Sequence, residues 1–232
     1  MVNLYITVGA TIPFDGMINT IFENLNENIL KHLLSLSPNE INIFAQCGST
    51  FNFLYEKDII NQVDKNLVVK TINPYNKLLN TEELKSVTFK KQNININITF
   101  FNLSSNLNNF LREFKPNIVI SHAGTGSLLD ALANNNNNNN KKDSNENLGV
   151  KKIVAVVNDS LMNNHQLEIG EKLESYGLLT CCKNLKELEQ NMKRGNFIKD
   201  NSKNIDDTRT FSNEKLLQRG FNEAFNNEVL MF

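Results

Sequence analysis

Apolar positions in this chain follow two rhythms. Short runs rich in Val, Ile, Leu and Phe recur at residues 3–8, 41–46, 67–71, 94–100, 117–121, 152–157 and 178–181. Such β-branched and aromatic runs, bounded by polar residues, predict strands. Between them the apolar positions move to helical spacing. In residues 14–35, Ile18, Ile21, Phe22, Leu25, Ile29, Leu30, Leu33 and Leu34 keep to one broad face, and residues 161–176 predict a second helix. Strands alternating with helices predict an α/β fold built on a parallel, doubly wound sheet. Ile118-Val119-Ile120 and Ile153-Val154-Ala155-Val156-Val157 are apolar without alternation, as strands covered on both faces must be. Residues 74–92 follow neither rhythm and are expected to form an irregular or helical connection.

Two polar stretches interrupt the pattern. Residues 134–140 are seven consecutive asparagines, and the polar run continues to 149. That composition cannot bury a core, so 134–149 is expected to be a disordered insert. It follows a helix and precedes a strand, which puts it at the amino ends of the strands, away from the ligand crevice of such sheets. Residues 191–212 predict a polar linker. In 213–232, Leu217, Phe221 and Phe225 recur at helical spacing and predict an amphipathic helix, which either docks a partner or folds back on its own domain. Residues 1–190 then form the main domain.

Composition narrows the function. Of 232 residues, 40% are hydrophobic, enough for one well-buried domain. The formal net charge is −1 and the lysine pairs at 90–91, 141–142 and 151–152 are scattered, so no nucleic-acid footprint exists. The start, Met-Val-Asn-Leu-Tyr-Ile-Thr-Val-Gly, lacks a charged lead and a cleavage site, and is expected to be a first strand rather than a signal peptide. No apolar run approaches the roughly 20 residues that cross a bilayer. Cys47, Cys181 and Cys182 have no metal-ligand spacing, which points to a reducing cytosol. Asp-x-Asp, zinc-ligand and Gly-x-Ser-x-Gly patterns are all missing.

The candidate chemistry lies at three strand exits. After Ser121 comes His122-Ala123-Gly124-Thr125-Gly126-Ser127, with a helix expected to follow. The glycines let backbone approach a ligand, and the amides and dipole of a helix N-terminus suit phosphate. Thr125 and Ser127 add hydroxyls, His122 an imidazole donor, and Asp130 a carboxylate able to accept from both ribose hydroxyls. The alternative is a Gly-x-Gly turn that serves packing only. A dinucleotide fingerprint is disfavoured, because the turn follows a late strand and Leu129 replaces the third small residue. The second exit, Asn158 to Gln166, gathers amide and imidazole groups suited to sugar hydroxyls, or else caps the next helix. At the third, Gly9, Ala10 and Thr11 could offer amides to a diphosphate.

Together these residues resemble a known family. Val119-Ile120-Ser121-His122-Ala123-Gly124-Thr125-Gly126-Ser127 with Asp130, then Val157-Asn158-Asp159-Ser160-Leu161-Met162-Asn163-Asn164-His165-Gln166, look like the catalytic subunits of the eukaryotic UDP-GlcNAc transferase of dolichol-linked oligosaccharide synthesis. The opening Val8-Gly9-Ala10-Thr11-Ile12-Pro13-Phe14 agrees. Through them the chain is similar to the carboxy-terminal, donor-binding half of a GT-B glycosyltransferase, which implies a Rossmann-like UDP-sugar domain over 1–190. The resemblance implies inverting transfer from UDP-GlcNAc to GlcNAc-diphosphodolichol, with no metal and no other cofactor. It assigns the phosphates to the turn of His122 and Gly124 and the ribose to Asp130, and the placement of Gly9, Ala10, Thr11, Thr125, Gly126 and Ser127 at the strand exits adds them to the diphosphate site. The sugar falls to Asn164, His165 and Gln166, and the uracil to Phe101 and Asn102. His165 is the candidate catalytic residue, with Asp15 or a partner's residue as the other candidates for the base. The resemblance further implies a heterodimer with a membrane-anchored, acceptor-binding subunit that recruits the chain to the cytosolic face of the endoplasmic reticulum. The sequence departs from the family in its Asn-rich insert and in Lys152, where relatives carry Pro. The alternative is a non-catalytic nucleotide-sugar-binding subunit, with a nucleotide-dependent oxidoreductase as a further rival.

Overall fold

The computed structural model describes residues 1–10, 12–36, 39–52, 75–81, 83–136, 152–161 and 165–199. Its strands are β1 (Val2–Thr7), β2 (Glu40–Gln46), β3 (Leu84–Lys91), β4 (Ile94–Phe101), β5 (Ile118–His122), β6 (Lys152–Val156) and β7 (Thr180–Cys182). They form one sheet in the order β3-β4-β2-β1-β5-β6-β7, parallel throughout except for the β3–β4 pair. The helices are α1 (Asp15–Glu23), α2 (Leu30–Leu36), α3 (Asn76–Leu79), α4 (Leu107–Phe114), α5 (Thr125–Asn136), α6 (His165–Ser175) and α7 (Leu185–Lys193).

The unbroken apolar runs are sorted by the pleat, which sends successive side chains to opposite faces. Leu4, Ile6, Ile43, Ile98, Ile120 and Val154 pack with Met17, Ile18, Leu30, Leu33, Leu188 and Met192 of α1, α2 and α7. On the other face Tyr5, Phe44, Val119, Ile153 and Ala155 pack with Phe110, Phe114, Leu128 and Leu132 of α4 and α5. Phe110 and Phe114 stack with centroids 5.1 Å apart, and Phe44 sits 4.8 Å from Phe114. The α/β, doubly wound expectation therefore holds, with one antiparallel edge.

That edge corrects the expectation of an irregular or helical connection over residues 74–92: Asn76–Leu79 are the short helix α3, but Leu84–Lys91 form strand β3. Val87 and Phe89 are buried, and Gln92 and Asn93, at φ 51° and 63°, make the two-residue turn of left-handed residues that suits a hairpin. Lys85, Lys90 and Lys91 place charge on the outermost strand of the described sheet, as edge strands commonly carry. A second correction concerns residues 14–35. The helix is broken by a π-helical turn, Leu25–Ile29. Asn24 causes it: Nδ2 donates to the Thr20 carbonyl at 2.8 Å, Oδ1 accepts from Asn28 at 2.7 Å, and Ile29 N reaches back five residues to the Asn24 carbonyl at 3.0 Å. The wide turn re-phases the apolar stripe, so Leu25, Ile29, Leu30 and Leu33 all stay buried.

The boundary expected at residue 190 falls inside α7. Met192 and Phe197 are both 0% exposed in the core, so the domain runs on through the short 3-10 turn Asn196–Ile198. The expected linker cannot begin at 191. Likewise α5 continues through Asn136, two residues beyond the expected start of the insert. The strand expected at 67–71, Thr11, Asn164, residues 137–151 and the expected helix at 213–232 lie outside the described residues.

A polar ladder ties the sheet together near its amino edge. Asn3, Asn42 and Asn97 occupy paired positions on β1, β2 and β4, and Thr88 pairs with Asn97 on β3. Asn42 donates to Asn3 at 3.2 Å, Asn97 to Asn42 at 2.8 Å and Thr88 to Asn97 at 2.9 Å.

Topology also fixes where a ligand would go. From β1 the chain leaves by α1 on one face toward β2, while from adjacent β5 it leaves by α5 on the other face toward β6. The two connections part at the carboxyl ends of β1 and β5, the place where open α/β sheets form their crevice.

Candidate functional site

Gly9 and His122 stand at that parting. Gly9 has φ +76°, a left-handed conformation open to glycine, and a Cβ there would lie 2.5 Å from Cε1 of His122. A Cβ on Gly124 would overlap the same ring at Nε2. The imidazole is thus wedged between two glycines, and both are small because the ring occupies the space. At Gly126, by contrast, a Cβ would meet nothing within 4 Å among the described residues, so their packing does not require that glycine.

Burial of the His122 ring lowers its pKa from 6.5, opposed by the nearby Thr7 carbonyl. Its Nδ1 is buried and makes no hydrogen bond of ordinary geometry among the described residues. The ring is therefore neutral near pH 7, one nitrogen a donor and the other an acceptor. Next to it α5 begins at Thr125, and its first backbone bond runs from Leu128 N to the Gly124 carbonyl at 3.1 Å. The amides of Thr125, Gly126 and Ser127 have no partner within the helix and carry the positive end of its dipole. Gly126 is exposed, Thr125 and Ser127 half-buried. Asp130, on the next turn, is half-buried, with its pKa raised by burial.

The β1 exit is fastened from below. Gly9 N donates to Thr7 Oγ1 at 3.1 Å, so the amide expected to serve a diphosphate is already used, and Gly9 supplies space instead. Thr7 Oγ1 and Tyr5 Oη both donate to Gln46 Oε1, each at 2.8 Å. Phe14 N donates to Thr50 Oγ1 at 3.2 Å, and Gly48 lies against the Gly9 carbonyl. Ala10 is exposed at the edge. These supports went unnoticed in the sequence; the available signal was a Thr and a Gln ending strands that are otherwise apolar.

Beyond β6, Gln166 Oε1 accepts the Asn158 amide at 3.1 Å, and Asn158 Oδ1 accepts from Ser160 N and Oγ at 3.2 and 2.7 Å. The polar cluster is thus partly a cap that shapes the loop before α6. His165 opens α6 itself, four residues later than the expected helix start; its side chain is 54% exposed and its Nδ1 lies 4.0 Å from Glu168.

The residues expected to meet the uracil both have side chains engaged within the domain. Phe101 is 0% exposed, with its ring 6.1 Å from Phe110 in the core, so it cannot stack on a base. Asn102 spends its side chain on Glu83, at 2.7 Å, and on Thr81, at 2.9 Å, while its carbonyl accepts Gly48 N. Burial pushes the Cys181 and Cys182 thiols up to about 12, so neither is a ready nucleophile. Among the described residues no group of three or more His, Cys, Asp or Glu could hold a metal ion, and no helix is long and apolar enough to cross a membrane.

Comparison with known proteins brings in the relatives. No family model matches the chain. The UDP-N-acetylglucosamine transferase subunit ALG13 of Candida albicans is 32% identical over 214 residues, covering 86% of this chain. This match spans 62% of the relative's length. The ALG13 subunit of Saccharomyces cerevisiae is 25% identical over 77% of this chain and 76% of its own. A solution NMR structure of ALG13 superposes with a TM-score of 0.51, at 24% identity, over 84% of this chain and 83% of that one, a likeness of fold. The ALG13 subunit of Kluyveromyces lactis is 31% identical over 177 residues, 75% of each chain, and on that extent of identity this chain belongs to the family of UDP-N-acetylglucosamine transferase subunits named ALG13.

Proposed function

We infer that the chain is the donor-binding subunit of a glycosyltransferase that moves GlcNAc from UDP-GlcNAc to GlcNAc-diphosphodolichol. The observation that carries this reading is the His122 ring, wedged between Gly9 and Gly124 beside the first amides of α5, which have no partner among the described residues. A neutral imidazole donor, three amides at the start of a helix and the helix dipole converge there, and a diphosphate needs such donors. The relatives, named as UDP-N-acetylglucosamine transferase subunits, support UDP-GlcNAc as the donor.

In the proposed reaction the acceptor's 4-hydroxyl oxygen attacks the anomeric carbon opposite the diphosphate. The bond to UDP breaks with its electron pair leaving on the diphosphate, the configuration inverts, and the hydroxyl proton passes to a base. Negative charge growing on UDP is met by His122, by the amides of residues 125–127 and by the α5 dipole. No metal is given a part. Asp130 takes the ribose hydroxyls. Gln166, its Oε1 committed to Asn158, offers Nε2 to the sugar with Asn164 and His165. His165 is the first candidate for the base. Asp15 is the second, since its Oδ1 is buried without a partner among the described residues. The acceptor side is assigned to a membrane-anchored partner subunit at the cytosolic face of the endoplasmic reticulum.

The test is to co-express the chain with that partner and supply UDP-GlcNAc and GlcNAc-diphosphodolichol. The expected product is a β-linked disaccharide lipid, formed equally in EDTA and only when both chains are present. UDP binding without transfer would favour the non-catalytic reading, and tight NAD(P) binding without UDP binding would overturn both. His165→Ala should slow transfer with UDP affinity intact; loss of UDP affinity would remove His165 from the sugar side.

A further inference from the structure

We propose that Thr7, Gln46 and Tyr5 are positioning residues for the donor, forming a buried relay that fixes the Gly9 loop and so sets where a diphosphate can sit. This inference rests on the transferase reading of the site. The three side chains are 3%, 6% and 4% exposed. β1 and β2 are covered on both faces, where Val, Leu and Phe would pack without the cost of desolvating polar groups. Packing alone therefore does not account for a hydroxyl, a carboxamide and a phenol gathered at one strand end.

Their hydrogen bonds have one direction. Gln46 Oε1 accepts from both Tyr5 Oη and Thr7 Oγ1, so the proton of the Thr7 hydroxyl points at Gln46 and its lone pairs are left for the Gly9 amide. Tyr5 holds Gln46, Gln46 holds Thr7, and Thr7 turns the Gly9 peptide inward. Gly9 in turn abuts the His122 ring with its Cα and Gly48 with its carbonyl. A shift of this peptide displaces both the β1 exit and the imidazole. The relay itself touches no ligand; it acts through Gly9 and His122.

The experiment uses the full chain with its membrane partner and compares Thr7→Val, Thr7→Ser and Tyr5→Phe. Thr7→Val is expected to raise KM for UDP-GlcNAc about tenfold with KM for the acceptor unchanged. Thr7→Ser, which keeps the hydroxyl, should return the donor KM to within about twofold of wild type. Tyr5→Phe should raise it in the same direction by about threefold, because the Thr7–Gly9 bond remains. Hydrogen exchange at the Gly9 amide should quicken in Thr7→Val and recover in Thr7→Ser. A purely structural role predicts less active protein, hence lower kcat with donor KM unmoved, and that result overturns the relay while leaving the transferase reading intact. If Thr7→Val does not fold, Tyr5→Phe decides alone, and an unchanged donor KM overturns the relay. A wild-type complex that neither binds UDP nor transfers GlcNAc overturns both ideas.

Discussion

Glycines at this site divide into two kinds, and the division is a matter of single atoms. Gly9 and Gly124 make room for the His122 ring, whereas Gly126 faces open space among the described residues. Gly126→Ala should therefore leave the fold intact, or raise its stability by up to about 1 kcal/mol through better helix propensity. If a diphosphate rests on the α5 amides, the same methyl should weaken UDP binding about tenfold by calorimetry. Unchanged affinity would move the diphosphate off this turn. His122 gives a second expectation. Burial lowers its pKa below the 6.5 of an exposed ring. As pH falls below that value, the unfolded chain takes up a proton that the folded chain refuses, so stability declines with falling pH. The urea midpoint should drop between about pH 7 and about pH 5.5, and His122→Asn should drop less. Equal declines would mean that other groups dominate.

At the scale of elements, polar residues inside strands matter most. An Asn in a central strand is unfavourable by propensity, yet Asn3, Asn42 and Asn97 satisfy one another because register sets them side by side. Asn42→Ala removes the middle rung and takes its donor from the Asn3 acceptor, while the Asn97 amide keeps only its bond to Glu40 Oε1 at 2.9 Å. The expected cost is about 1–3 kcal/mol in the urea unfolding free energy. A cost below about 0.5 kcal/mol would mean that water replaces the rung. Register was not legible in the sequence, since a strand's own pattern says nothing of which strand lies beside it. The β3–β4 hairpin was missed for a related reason. Its turn is Gln92-Asn93, without glycine, and the conformation is held by the pairing of Lys91 with Ile94. The π-helical turn was missed because Asn24 lies within a stripe of apolar residues that continues unbroken on either side.

For the molecule as a whole, the sheet separates a working edge from a tolerant one. The candidate site residues Gly9, His122 and Gln166 follow strands at their carboxyl ends, while α5 ends and β6 begins at the amino ends, the two elements between which residues 137–151 fall in sequence. Removing residues 138–146 should leave thermal stability and UDP affinity unchanged, since closing a shorter loop alters the entropy by only about 0.6 kcal/mol per halving of length. A fall in UDP affinity would tie the asparagine run to the site. The domain is also longer than composition suggests. Residues 191–199 are polar on average, but Met192 and Phe197 plug the core against α1 and α2. Two residues set that boundary, and an average over a window hides them.

The sequence by itself determined the α/β class, the two-faced burial of the strands and the turn at His122–Ser127. All three follow from local periodicity or from glycine beside a helix start, which a linear pattern records. Only the tertiary structure decided the strand order, which makes β1 and β5 neighbours and brings Gly9 against His122 across 113 residues of chain. It also decided which polar groups are already spoken for. The Gly9 amide belongs to Thr7, Gln166 Oε1 to Asn158, and the Phe101 ring to the core. A sequence names the groups that could serve a ligand. Which of them remain unpaired depends on contacts between distant segments, and those exist only once the chain is folded.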